Sequence, residues 1–253
     1  MGRARRGRRV RRARVPALIQ LRLGPVRAVW TDRHGGVSAG PFATANLGTR
    51  SGDAPDAVAT NRRRLADALQ LGDPAGWCWL RQVHGTSVLD ADTAAEPDPP
   101  ADAAVTRTAG RPLTVLTADC APVVLACDDA AAVAHAGWTG LLAGVLEAAV
   151  TRLRAVGQGR VRAALGPCIH PAHYEFGPDN LARLVDAYGP TLAATTHDGR
   201  PALDLPAGVR AALARVDVTD LEDVDVCTAA SPDHFSYRRD GETGRQALVA
   251  VLE

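Results

Sequence analysis

Hydrophobic positions recur along this chain with two periods, and the stretches where each holds divide it into elements. Val26-Arg27-Ala28-Val29-Trp30-Thr31 alternates like a half-buried strand, and Gly35-Gly36 breaks it. Leu113 to Thr117, Pro122 to Cys127, Ala131 to Ala134, Val161 to Leu165, Val224 to Thr228 and Ala247 to Val251 are short apolar runs that read as strands. Trp77 to Val83 reads as another, continued by Thr86 to Leu89, and Glu96 to Pro100 is a loop rich in Pro and acid. Val58, Leu65 and Leu69 predict a helix from about Asp56 to Gln70, opened by Asp53 and Pro55 and stopped by Gly72. A second helix follows Gly140, with Leu141, Val145, Ala149 and Leu153 at helical spacing and Gly157 as its end. Asp179 and Asp204 predict caps for helices that reach Tyr188 and about Arg215, and Arg239-Asp240-Gly241 has hairpin chemistry. Strands and helices alternate irregularly, with several strands in succession. That favours one mixed-sheet α/β domain over a doubly wound parallel sheet, and neither a repeat nor an internal linker divides it.

Composition narrows the possibilities. No apolar run is long enough to span a bilayer as a helix, so no membrane partner is expected. All 29 basic residues are Arg. Without Lys there is no P-loop lysine and no Schiff base, and an anion must be held by Arg, backbone N–H groups or a metal. Eight of these Arg fall in residues 1–14, which contain no acid, and the body is left with 21 basic against 28 acidic residues. Residues 1–20 therefore read as a disordered Arg-rich leader, and 21–253 as the catalytic domain. An acidic body only 4% aromatic offers neither a phosphate-tracking groove nor stacking platforms for nucleic acid. The protein reads as cytoplasmic, and there five widely spread Cys without a CxxC pair argue against a disulfide framework and for one or two thiols with individual roles.

The candidate chemistry sits where three apolar runs end: Gln82-Val83-His84-Gly85, Thr117-Ala118-Asp119-Cys120 and His135-Ala136-Gly137-Trp138. Two imidazoles and a thiol suit Zn2+ or Cu2+, and three protein ligands leave a fourth position for water or substrate. The same atoms without metal make a Cys120 nucleophile with a His base, and sequence does not separate the two arrangements. Asp119 could orient an imidazole or simply shape a turn. Cys168, His170 and His173 are further donors, and Tyr174 and Glu175 could add a hydroxyl and a carboxylate. Of Arg62, Arg63 and Arg64, one helical turn can aim only one at a shared target, and that one could hold phosphate with two nitrogens. The Pro-Cys-x-x-Cys that a zinc nucleobase deaminase pairs with its His-x-Glu is absent. An axial Met for blue copper is absent too, since Met1 is the only one, and no His-x-His exists for a copper cluster.

These segments, with Gly35-Gly36-Val37-Ser38, Asn46-Leu47-Gly48, Asn61-Arg62, Gly166-Pro167-Cys168-Ile169, Tyr174-Glu175 and Phe235-Ser236-Tyr237-Arg238-Arg239, resemble the YfiH-type family. It is also called the multicopper polyphenol oxidoreductase (laccase) family, and its members are described as purine nucleoside phosphorylases with adenosine deaminase side activity. The resemblance runs from about Trp30 to Val251. It implies stacked mixed β-sheets flanked by helices, similar to the cytotoxic necrotising factor catalytic domain. It further implies that His84, Cys120 and His135 are metal and catalytic residues and that Arg62, Asn46 and Gln82 contact substrate. Adenosine, inosine or S-methyl-5'-thioadenosine would react with phosphate to give base and ribose 1-phosphate. A copper-dependent phenol oxidase and a Cys–His amide hydrolase acting in peptidoglycan editing are the alternatives. Two positions depart from the family pattern: Thr139 stands where an Arg is usual, and Ala172-His173 where many members carry a Cys pair.

Overall fold

The computed structural model describes residues 18–94 and 98–253. The leader as far as residue 17, and Glu96 and Pro97 of the acidic loop, lie outside the described residues. The described chain opens with β1 (Ile19–Leu23) and β2 (Val26–Trp30), followed by α1 (Pro55–Leu69), β3 (Val88–Asp90) and β4 (Ala103–Thr106). Three strands come next, β5 (Leu113–Thr117), β6 (Ala121–Ala126) and β7 (Ala131–Ala136), and then α2 (Trp138–Ala143), α3 (Val145–Val156) and β8 (Arg162–Leu165). The last third carries α4 (Pro178–Tyr188), β9 (Ala193–Thr195), β10 (Pro201–Leu203), α5 (Leu205–Ala214), β11 (Leu221–Asp223), α6 (Tyr237–Asp240) and β12 (Gln246–Leu252).

Two sheets stack. One has the order β1-β2-β12-β5 and is antiparallel throughout; the other has the order β11-β8-β6-β7-β4-β3. The second is mixed, because its outermost pairs, β11 with β8 and β3 with β4, run parallel. β9 and β10 form a separate small hairpin. The period-two alternation assigns every buried side chain to a layer. In β12, Leu248, Ala250 and Leu252 pack against Val124 and Val133 of the facing sheet, while Ala247, Val249 and Val251 meet Leu65, Ala66 and Leu69 of α1. In β6, Val124 and Ala126 face the inter-sheet core, while Val123 and Leu125 meet Val145, Leu146, Ala149 and Leu153 of the helical layer. The result is four layers: α1, the antiparallel sheet, the mixed sheet, and a layer of α2 to α5. Strands buried on both faces carry apolar residues at every position, which is why β6, β7 and β12 stand out in the sequence as unbroken runs. Each fully buried Leu or Val stabilises the fold by about 1.5–3 kcal/mol.

One close approach locks the sheets together. A Cβ at Gly166 would lie 1.9 Å from Trp30 Nε1, so only Gly lets the end of β8 meet that indole.

Several expected elements take another form. Trp77 to Val83 is extended but bridges only at Cys78 with Leu113 and at Arg81 with Pro100. Its two Trp rings stack at 5.7 Å and donate to Leu71 O and Pro74 O, so side chains rather than a ladder anchor it. The helix expected after Gly140 begins at Trp138 and breaks at Gly144, whose left-handed φ of 93° ends α2 and starts α3. Val224 to Thr228 forms no strand; the ladder lies upstream in β11 and Asp225, at φ 55°, turns the chain away. Arg239-Asp240-Gly241 closes α6, capped by Ser236, instead of a hairpin. Gly177, and not Asp179, is the N-cap of α4, whereas Asp204 caps α5 through Ala207 N as expected. β1 takes in Ile19 and Gln20, assigned to the leader by composition, because their backbone pairs with Trp30 and Val29.

Candidate active site

Three segments converge at one end of the stacked sheets. Ala118-Asp119-Cys120 is the link by which the chain leaves β5 in one sheet and enters β6 in the other. β7 returns beside β6 with Pro122 opposite His135, so His135 comes to lie next to Cys120. His135 shares the parity of Ala131 and Val133 and points into the gap between the sheets. The third segment runs along the open edge of β5. Gln82 fastens it there, donating Nε2–H to Leu116 O at 2.7 Å and accepting Leu116 N–H on Oε1 at 2.8 Å. His84 follows two residues later.

The ligand atoms of His84, Cys120 and His135 lie within 4.8 Å of one another, and the two imidazoles meet edge to face. They are the one such group of three or more donors among the described residues. Gly137 makes room for them: a Cβ there would lie 2.5 Å from His84 Nδ1 and 3.1 Å from Cys120 Sγ. Two imidazoles and one thiol in a cradle that a methyl group would fill are a donor set that fits a zinc or copper ion.

A buried carboxylate that the sequence reading passed over organises the group. Asp102, just before β4, has no exposed surface. Its Oδ1 accepts from His84 N at 3.0 Å and His135 Nδ1 at 2.8 Å; its Oδ2 accepts from Val83 N at 3.1 Å and Gly85 N at 2.7 Å. This grip holds His84 in the left-handed region, at φ 57°. Asp119 also has positive φ, at 102°; its carboxylate accepts from the Thr228 hydroxyl and Arg238 N, both at 2.7 Å. Residues held this way store strain of about 1–3 kcal/mol and persist only where neighbours over-determine them.

Burial lowers the His84 pKa, and the neighbouring His135 lowers it further. Burial acts in the same direction on His135, but negative charge at Cys120 and the hydrogen bond to Asp102 outweigh it and raise its pKa to about 9. With no metal bound, His135 therefore holds a second proton, which an ion on its Nε2 would displace.

The trio lies in a cleft of about 570 Å³ whose wall carries Arg50, Arg62, Arg81, Arg238 and Arg245, against the acids Asp98 and Asp119. Arg62 is placed with care. Its guanidinium lies 3.6 Å from the Trp79 ring centroid, and Nε donates to Leu47 O at 3.0 Å. Burial lowers its pKa to about 10, partly offset by Asp98, and it stays charged at neutral pH. Arg63 and Arg64 turn elsewhere, to Thr60 and to Gly35 O. Asn46 does not reach the cleft: it is fully buried, with Nδ2 bonded to Ser51 and Asp53 and Oδ1 accepting from Gly48 N and Arg245 N. It supports the loop that presents Arg50. Tyr174 lines the cleft beneath Arg238, while Glu175 pairs with Arg200. Cys168, a buried free thiol whose backbone pairs with that of Cys227, and His173, beside His197, do not join the trio.

Asp102, Arg245 and Trp138 were missed. One signal was available, because Asp102 interrupts the apolar stretch from Ala101 to Val105, and a buried strand tolerates a carboxylate only where partners satisfy it.

Fold and site together define an α/β protein of stacked sheets with one metal-competent His–Cys–His centre beneath an arginine-walled cleft. The family model described as multi-copper polyphenol oxidoreductase laccase matches residues 27–253, and the chain belongs to this family of enzymes. It is 47% identical over 230 residues to a Streptomyces coelicolor protein named purine nucleoside phosphorylase, covering 88% of this chain and 94% of the relative. A Neisseria meningitidis protein of the DUF152 family superimposes with a TM-score of 0.85 at 34% identity, covering 93% and 99% of the two chains. A YfiH protein of Bacillus licheniformis does so with 0.81 at 25% identity, covering 90% and 93%. Among the described residues no helix is long and apolar enough to cross a membrane.

Proposed function

We propose that the chain is a purine nucleoside phosphorylase, acting in the cytoplasm on adenosine, inosine or S-methyl-5'-thioadenosine. The observation that carries this reading is the juxtaposition of the His84–Cys120–His135 centre with the arginine wall. A phosphate oxygen attacks C1′ of the ribose, the bond to the purine nitrogen breaks, and the base leaves with the electron pair and takes up a proton. Ribose 1-phosphate is the second product. Arg62 grips the phosphate: Trp79 and Leu47 O fix its plane and its Nε, and the two terminal nitrogens serve two phosphate oxygens. Arg245 and the exposed Arg238 offset further negative charge, and partial burial strengthens the contact at Arg245. Gln82 and Asn46 act by holding the His84 segment and the Arg50 loop in place.

His84, Cys120 and His135 would hold Zn2+, or Cu2+ in its place, and the ion supplies Lewis acidity beside the bound purine. Deamination of adenosine is assigned to the same cleft as a side activity: water adds at C6, ammonia leaves, and inosine results.

Incubation of the pure protein with inosine or adenosine tests the reading. Free base and ribose 1-phosphate should form in equal amounts, and only with phosphate present. Base release that ignores phosphate would make the enzyme a nucleoside hydrolase. A second reading rests on the closeness of Cys120 and His135, the arrangement of a thiolate nucleophile and its base. Inert nucleosides with cleavage of an amide substrate would favour it. Inert nucleosides with phenol oxidation under added copper would favour the activity in the family's description.

A further inference from the structure

One carboxylate touches both imidazole segments of the centre. Each oxygen of Asp102 accepts two hydrogen bonds: Oδ1 from His84 N and His135 Nδ1, Oδ2 from Val83 N and Gly85 N. The His135 contact fixes the tautomer of the ligating ring, because with Nδ1 donating to Asp102 it is Nε2 that gives up its proton and offers a lone pair to an ion. The three backbone contacts fold the turn that presents the His84 ring. We propose that Asp102 is a positioning residue that sets both the tautomer of His135 and the placement of His84, so that the donor geometry of the centre depends on a single buried carboxylate. This inference rests on the reading of His84, Cys120 and His135 as metal ligands.

The hydrogen-bond pattern dictates what an amide would do there. Asparagine has one acceptor oxygen, so its NH2 group must face two of the four donors. Against Val83 and Gly85, it opens the His84 turn. Against His84 N and His135, it forces His135 to turn Nδ1 into the acceptor and to carry its proton on Nε2, where it cannot ligate. Either arrangement spoils the centre without removing a ligand.

The test is zinc affinity of the full chain, read by competition with a chromophoric chelator, for the parent, Asp102→Asn and Val26→Ala. Val26 is a fully buried residue of the inter-sheet core, and its truncation lowers stability without touching the centre. Asp102→Asn should weaken zinc binding by about 10–100-fold, the range for loss of an outer-shell partner. Val26→Ala should bind as the parent does at a comparable fall in melting temperature. Affinity of Asp102→Asn within about twofold of the parent overturns the inference. Should Asp102→Asn fail to fold, nitrogen-15 NMR of the zinc-loaded parent decides: His135 should carry a slowly exchanging proton on Nδ1, and zinc on Nδ1 sinks the idea. A parent that takes up no zinc removes the ligand reading and the inference with it. A parent that binds beside a variant that binds equally well removes the inference alone.

Discussion

Gly137 and Arg62 show how narrowly the site is built at the scale of single residues. A Cβ at position 137 would intrude to 2.5 Å from His84 Nδ1, and the ring can retreat only by leaving the centre. Gly137→Ala should therefore lower the zinc content of the purified protein by about tenfold or more while the circular dichroism stays that of the parent, since the layers beneath are untouched. Elemental analysis checks this. Arg62→Lys keeps the charge but loses the planar fork and the stack on Trp79. It should raise the phosphate concentration for half-maximal phosphorolysis by about tenfold, the loss of one charge-assisted hydrogen bond, with a smaller effect on the nucleoside. Rates across a phosphate series separate the two. His84, Cys120, His135 and Arg62 were legible in the sequence because each ends a run or sits in a short motif. Asp102 and Arg245 were not: Asp102 acts on partners 17 to 33 positions away, and the backbone of Arg245 is fastened to Asn46, 199 positions away.

Between elements, glycines and caps decide where regular structure stops. Gly144 sits at φ 93° between α2 and α3, a conformation that a side chain disfavours by about 1–2 kcal/mol. Gly144→Ala should lower the melting temperature accordingly, read by calorimetry. Asp204→Ala removes the acceptor for Ala207 N at the start of α5 and should destabilise by about 1 kcal/mol, measured by urea unfolding. Apolar periodicity located β5, β6, β7, β8, β12 and α1 to within a few residues, because these elements bury one or both faces whatever their neighbours do. It failed for Trp77 to Val83 and for Val224 to Thr228, where composition suits a strand but no continuous partner ladder is available. β4 went unnoticed because alanine has little β propensity, and its burial between β7 and β3 makes it a strand.

Across the whole molecule, surface carboxylates tie distant segments and set the response to acid. Burial pushes the Asp92 pKa up, but the Thr106 hydroxyl and Arg107 N–H outweigh it and hold it below the ordinary value of 3.8. The hydrogen bond from Arg239 does the same for Asp240. Groups lowered in the folded state stabilise it above their ordinary pKa and lose that contribution as pH falls through the folded value. The urea midpoint should decline below about pH 4, and the decline should be smaller in Asp92→Asn. Apolar periodicity and turn chemistry by themselves determined the α/β class, most of the core strands and the three segments that bear the imidazoles and the thiol. These are local properties, set by which faces must leave water. That His84 and His135 share one carboxylate, that Gln82 and Asn46 hold backbone in place, and that five arginines face one cleft was decided only by stacking the two sheets. Hydrogen-bond partners and charge neighbours depend on distances in space, and those distances exist only once the chain has crossed from β5 to β6.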